Sequence, residues 1–472
     1  MEELLIGRER EREILNAVKT SQQSEFVAVY GRRRIGKTYL VRRFFNNQFA
    51  FFMTGIDNVS MQDQLINFTL ALNKYSQKDN PVPKNWLYAF DALQNYLETL
   101  PCGDKVVFID EMPWFDTPRS KFINALEHFW NSWAAARSDI KLIACGSAAS
   151  WMINELVNSR GGLHNRLTRK ILLEPFTLRE CKKFFDAFKF GYSQREIAEC
   201  YMVMGGVPFY MKQMKKNLSV AQNIDTLFFS TGAFLADEYQ NMMRSLFKHS
   251  TNYIKIIEIL SQKGIGLSRL DILEGTGLVN NGGLTQMLDE LQTCGFIREY
   301  LPVSKAKKTS LYQIIDPFLL FYFRFIQKNK YQSEHFWLDS ISSPVHDSWA
   351  GYAFEILCLN HLPQIKSALG ISGVDSRAVS WRSEKIRGGA QIDLLIDRSD
   401  NVFNLCEMKF SKRAFSITAK YERELTNKIA VFRDETGTQK SVRLTMITAS
   451  GLSQNKYSGI VQNELKLSDL FS

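Results

Sequence analysis

Residues 29–41 read VYGRRRIGKTYLV. The run FVAVY (26–30) reads as a buried strand, and YLVRRFFN after it as the start of a helix. Gly31 to Thr38 fits GxxxxGK[ST], in the strand, loop and helix context that this motif needs. The glycines let backbone N–H groups turn inward onto phosphate oxygens. Lys37 is placed to reach the β- and γ-phosphates, and the Thr38 hydroxyl to ligate magnesium. The expected cofactors are ATP and Mg2+, held along Gly31, Arg32, Arg33, Arg34, Ile35, Gly36, Lys37, Thr38 and Tyr39. The arginines are expected to point outward or toward neighbouring acids, and whether any touches the nucleotide is open.

A second segment supports the reading. KVVFIDEMPWF (105–115) is an apolar strand ending in Asp110-Glu111. Acids at that end of a parallel strand meet the phosphate crevice. Asp110 would hold magnesium, and Glu111 would orient or deprotonate the attacking water. A third strand, KLIACGSAASWM (141–152), carries Ser147 where it can sense the γ-phosphate. Arg166, in GGLHNRLTRKILLEPF, reads either as a finger or sensor for transition-state charge or as a solvent-facing arginine.

The chain has 472 residues, which at roughly 100–200 per domain predicts about three or four units. No run approaches the ~18 apolar residues of a membrane span, and MEELLIGRERERE lacks an apolar signal core. The expectation is a cytoplasmic protein without membrane contact. Seven scattered cysteines form no CxxC pair, which predicts buried thiols rather than a disulfide framework or zinc site. A net charge of +10 favours a polyanionic partner such as DNA over a merely basic soluble protein.

Together GRRRIGKT, FIDEMPW, CGSAASWM, HNRLTRKILLEPF and GGVPFYM resemble the archaeal-type ATPases, a branch of the AAA+ and STAND-like P-loop proteins, over roughly residues 1–330. The resemblance implies that Gly7 and Arg8, in IGRERE, lie near the adenine. It implies the same for Pro208 in Gly206-Val207-Pro208, and it puts Arg166 in the place of the family's arginine after sensor 1.

The implied fold class is α/β: a P-loop parallel sheet (1–170), a helical lid (171–248), a winged helix with a following aromatic helix (249–330), and a C-terminal α/β domain of restriction-endonuclease type (331–472). Within the third part, three short helices precede two strands joined by the basic loop SKAKKTS (304–310). Its third helix offers Asn280, Asn281, Thr285 and Gln286 but few basic residues, so the partner is DNA or a docked protein. The aromatics of DPFLLFYFRFIQKNK (316–330) read as core.

The last 140 or so residues hold a second constellation. SWAGYAFEILCLNHL (348–362) has helical periodicity and carries Glu355; QIDLLIDRSDNVFNLCEMKFS (391–411) reads as a hairpin. Alternation puts Glu407 and Lys409 on one face, with Asp393 on the facing strand. The set resembles the PD-(D/E)XK nuclease core. That implies Asp393 and Glu407 as metal ligands, Lys409 as the group that positions water or neutralises charge, and Glu355 as a ligand through water. A salt-bridged hairpin, or a nuclease-like fold that only binds, is the alternative. Tyr421 and Lys428 on the next helix would contact DNA backbone or simply face solvent.

The functional expectation is an ATPase coupling nucleotide state to DNA binding and Mg2+-dependent DNA cleavage. The rivals are a STAND-like regulatory switch and a transcriptional regulator. Oligomeric state, DNA sequence preference and pathway are not legible.

Overall fold

The computed structural model describes residues 5–147, 151–157, 163, 165–247, 250–300, 303, 310–329, 333–341, 343–383 and 390–472. The chain packs as two compact units, residues 1–174 with 245–248, and residues 175–244 with 249–472.

The first unit is built on a five-stranded sheet: β1 (Glu25–Tyr30), β2 (Phe51–Thr54), β3 (Lys105–Asp110), β4 (Ile140–Gly146) and β5 (Arg169–Leu172). Their order is β2-β3-β4-β1-β5 and every pairing is parallel. A parallel sheet needs cover on both faces, so its strands are near-continuously apolar. Alternation along β1 shows how the cover divides. Phe26 and Ala28 pack with the core beneath the helices Met61–Ser76, Trp86–Thr99 and Phe122–Ser132. Val27 and Val29 pack on the other face with Leu15, Val18, Leu40 and Val41 of the helices Glu9–Thr20 and Lys37–Phe44. The expected break between two helices at 80–85 falls between Ser76 and Trp86. Asn85 caps the second helix there, accepting from the N–H groups of Leu87 and Tyr88 at 3.0 and 3.2 Å.

In the second unit, the helices Leu178–Ala187 and Gln194–Met204 each begin with a capping box, Thr177 with Glu180 and Ser193 with Glu196. The buried His361 ring accepts the Leu178 N–H at Nε2 (2.9 Å), while Nδ1 lies 2.8 Å from the Leu357 carbonyl. It is a core histidine, which burial holds down at about 4. Three helices, Ser250–Ser261, Arg269–Thr276 and Gly282–Thr293, precede and interleave with an antiparallel sheet ordered β6-β8-β7, where β6 is Leu267–Ser268, β7 Ile297–Tyr300 and β8 Leu311–Ile314. Loop residues 304–309 lie outside the described residues. The aromatics of 316–329 are core as expected: Phe318, Phe321 and Phe325 are buried, with Phe325 and Trp337 ring centroids 5.1 Å apart.

The C-terminal sheet comprises β9 (Ser376–Arg382), β10 (Gln391–Arg398), β11 (Val402–Lys409), β12 (Ser441–Thr448) and β13 (Asn463–Lys466), ordered β13-β12-β11-β10-β9. β9, β10 and β11 pair antiparallel; β12 and β13 join in parallel. The expected hairpin is present, with Leu394 opposite Cys406 and a register shift against β9 between Ile392 and Leu395. All seven cysteines are free thiols and six are buried. No helix among the described residues is long and apolar enough to cross a membrane.

Candidate functional site

The loop between β1 and the helix Lys37–Phe44 is the first site. Gly31 has φ 140°, and a Cβ there would lie 2.3 Å from the Leu173 carbonyl oxygen. Gly36 has φ 92° and caps the helix, its carbonyl accepting the Leu40 N–H at 2.8 Å. Only glycine tolerates both positions. Ile35 anchors the loop in the core. The Lys37 ammonium lies within the loop, donating to the carbonyls of Gly31 (3.0 Å) and Arg32 (2.8 Å).

The three arginines divide. Arg32 is buried, Arg33 exposed, and Arg34 half-buried with a left-handed backbone, φ 70°. Tyr39 is exposed, and the Arg43 guanidinium sits 5.4 Å from its ring centre. Gly7 and Arg8 both have positive φ. The buried Arg8 donates to the Ile35 carbonyl at 3.2 Å, so the segment before the first helix meets the glycine loop directly.

The end of β3 faces this loop. The Thr38 hydroxyl donates to Asp110 Oδ2 at 2.9 Å, and the Glu111 N–H to Asp110 Oδ1 at 3.0 Å. Burial first, and then the neighbouring Glu111, push the Asp110 carboxyl above its ordinary range; Thr38 and the Cys145 thiol partly offset this. A hydroxyl beside a crowded, buried carboxylate is a donor set that a hard cation relieves, so Mg2+ fits Thr38 and Asp110. Glu111 stands on a left-handed backbone, φ 47°. Ser147 grips its carboxylate twice, through the hydroxyl to Oε1 (2.5 Å) and the N–H to Oε2 (3.2 Å). Arg166 is exposed, and its N–H donates to the Leu163 carbonyl at 3.1 Å. Pro208 belongs to the second unit, where it opens the short helix Pro208–Met211.

The second site lies in the C-terminal sheet. Glu355, Asp393, Glu407, Lys409 and Lys428 line one opening of about 380 Å³. Glu355 comes from the helix Pro344–Asn360, Asp393 from β10, Glu407 and Lys409 from β11, and Lys428 from the helix Ala419–Thr436. Burial, then the charge of Asp393, push the Glu355 carboxyl up to about 8. Asp393 Oδ1 accepts from Gln391 Nε2 at 2.6 Å. A larger cavity of about 940 Å³ also reaches Glu355 and Asp393, with Arg298 and Gln313 of the three-stranded sheet in its wall.

Glu407 is placed differently from the nuclease expectation. Lys428 pairs with its Oε1, and the Tyr421 hydroxyl donates to Oε2 at 2.9 Å. Lys409 stands farther off, 3.9 Å from Oε2 and 5.2 Å from the Tyr421 ring centre. Tyr421 and Lys428, expected to face DNA backbone or solvent, therefore turn inward. The reason is electrostatic: Glu407 is only 8% exposed, and a buried carboxylate needs a counter-charge. Among the described residues no three His, Cys, Asp or Glu converge tightly enough to hold a metal ion. Glu355 and Asp393 crowd one another, and such a pair fits Mg2+, which is commonly held by one or two carboxylates with water and substrate phosphate. Glu407 lines the same opening and is paired with Lys428.

The sequence did not disclose the Glu111–Ser147 grip or the Lys428–Glu407 pair. Spacings of 36 and 21 residues carry no local pattern.

Residues 5–214 match a family described as an ATPase domain predominantly from Archaea. The uncharacterized protein MJECL04 of Methanocaldococcus jannaschii is 26% identical over 356 residues, covering 75% of this chain and 76% of that protein. A match of that length runs beyond residues 5–214. Among solved structures, the Walker-type ATPase PABY2304 of Pyrococcus abyssi aligns at 17% identity and TM-score 0.49, over 68% of this chain and 96% of that one. The ORC2 protein of Aeropyrum pernix, in its ADPNP–ADP complexes, aligns at 15% and 0.40, over 70% and 97%.

Proposed function

We propose, from the premise that residues 5–214 form an ATPase domain of the archaeal type, that this protein binds and hydrolyses ATP and uses the nucleotide state to govern DNA binding and cleavage by its second unit. One observation carries the ATPase half: the Thr38 hydroxyl lies 2.9 Å from Asp110, directly after a glycine loop that encloses Lys37. In this reading the loop N–H groups and Lys37 take the phosphates, and Thr38 and Asp110 hold Mg2+, which neutralises phosphate charge. Glu111 orients the water. Ser147 keeps that carboxylate pointed, and Arg166 is available for transition-state charge.

The DNA half rests on the 249–330 segment, read as a winged helix, and on the C-terminal constellation, read as a PD-(D/E)XK-type site. Its support is the cavity that Arg298 shares with Glu355 and Asp393, which puts the three-stranded sheet beside the carboxylates. Asp393 and Glu355 would hold Mg2+ at the scissile phosphate, and Lys409 would stabilise developing charge. Incubating plasmid DNA with Mg2+, with and without ATP, tests this. Cleavage should appear and be lost in Asp393→Ala and Lys409→Ala; cleavage unchanged by both substitutions contradicts it.

One observation favours a second reading, a regulatory ATPase whose C-terminal sheet binds without cutting: Glu407 is already neutralised by Lys428. Stable DNA binding with no cleavage under any nucleotide would select it.

A further inference from the structure

Among the described residues, the second site holds two lysines where its expected chemistry uses one. Lys409 fills the lysine position of the E-x-K strand, yet it is Lys428, 21 residues on, that contacts Glu407 directly. Lys428 projects from the helix Ala419–Thr436, whose first turn also supplies Tyr421. The two side chains take one Glu407 oxygen each. A carboxylate held this way is already neutralised and offers less charge to a divalent ion. Glu355 and Asp393 line the same opening.

We infer that Lys428 is a latch on the second site, an internal counter-cation that competes with a divalent metal for Glu407. This rests on reading that site as one that takes a metal. While Lys428 holds Glu407, the metal has Glu355 and Asp393 alone and binds weakly. Displacing Lys428 returns a third carboxylate to the cluster, and the freed ammonium then faces the same opening as the incoming phosphate. Lys428 is thus a positioning residue, acting through Glu407. Charge decides the competition, because a lysine can neutralise one carboxylate whereas a divalent ion can bridge several.

Calorimetry with Mn2+ on the full chain, without nucleotide, tests the latch. The P-loop site takes its ion largely through nucleotide phosphates and contributes little under these conditions. Lys428→Met should bind Mn2+ at least about tenfold more tightly than wild type, the gain expected when a competing charge is removed. Lys428→Arg, which keeps the charge, should bind as weakly as wild type, and Lys428→Met with Glu407→Gln should lose the gain. Thermal melting checks that each variant folds. Should Lys428→Met not fold, Tyr421→Phe, which loosens the other side of Glu407, should give a smaller gain of the same sign.

Wild-type Mn2+ binding that depends on Asp393 and is unchanged in Lys428→Met overturns the latch and leaves the metal site standing. Absence of Asp393-dependent binding in every variant overturns both.

Discussion

The Ser147 hydroxyl donates to Glu111 Oε1 at 2.5 Å, across 36 residues of sequence, and the Ser147 N–H takes the other oxygen of the same carboxylate. Two donors from one residue fix the plane of a carboxylate whose own backbone is left-handed, φ 47°. The strained backbone and the double grip together hold Glu111 in one direction beside Asp110.

Removing the hydroxyl should therefore affect turnover more than binding. Ser147→Ala is expected to slow ATP hydrolysis by about 10- to 100-fold, as loss of a positioning hydrogen bond does, with ATP affinity within a factor of about three. Glu111→Gln should slow hydrolysis by about 100-fold or more while retaining bound ATP. Single-turnover hydrolysis beside equilibrium binding separates the two effects.

Thr38→Ala removes the donor to Asp110 and one proposed magnesium ligand. ATP binding measured in Mg2+ should weaken by about tenfold or more. Binding measured in EDTA should change little. Equal loss in both conditions would point to a folding defect rather than a lost ligand.

Gly31→Ala meets a backbone atom rather than a movable side chain. The added Cβ would lie 2.3 Å from the Leu173 oxygen at φ 140°, so the backbone just after strand β5 must shift. Destabilisation of about 2 kcal/mol or more is expected, together with loss of ATP binding. Chemical denaturation of the variant against wild type measures it.

Glu355 makes stability depend on pH. Its carboxyl is pushed up to about 8 by burial and by Asp393, so the native state keeps a proton that the unfolded chain releases in its ordinary range. Stability from this group is full at low pH and is lost as pH rises through the ordinary carboxylate range to about 8. Glu355→Gln should therefore gain stability relative to wild type with rising pH over that window. Denaturant midpoints at a series of pH values check the sign. Added Mg2+ should reduce the difference, since it stabilises the charged form of Glu355.

What the sequence disclosed followed its range of interaction. The glycine loop with Gly31, Lys37 and Thr38 is legible because it is a contiguous stretch whose backbone demands glycine at fixed places. The position of Asp110 beside Thr38 is legible because an acid closing an apolar strand lies at one end of a parallel sheet, and the β10–β11 pair because the two strands form one contiguous hairpin. The inward turn of Lys428 was not legible. Its helix reads as solvated, and only the fold reveals that a buried Glu407 lies across from it. Arg8 lies between these cases: resemblance placed it near the nucleotide, but its bond to the Ile35 carbonyl depends on how Glu9–Thr20 packs against β1.

ATPase activity requires the loop after β1 to hold a nucleoside triphosphate through its backbone and Lys37. Isothermal titration of the purified chain with ATP and Mg2+ tests it most directly. Saturable binding at one site per chain is expected, which Lys37→Ala weakens by at least about tenfold while thermal stability without nucleotide stays near wild type. Absence of saturable uptake, or equal affinity in Lys37→Ala, would contradict it.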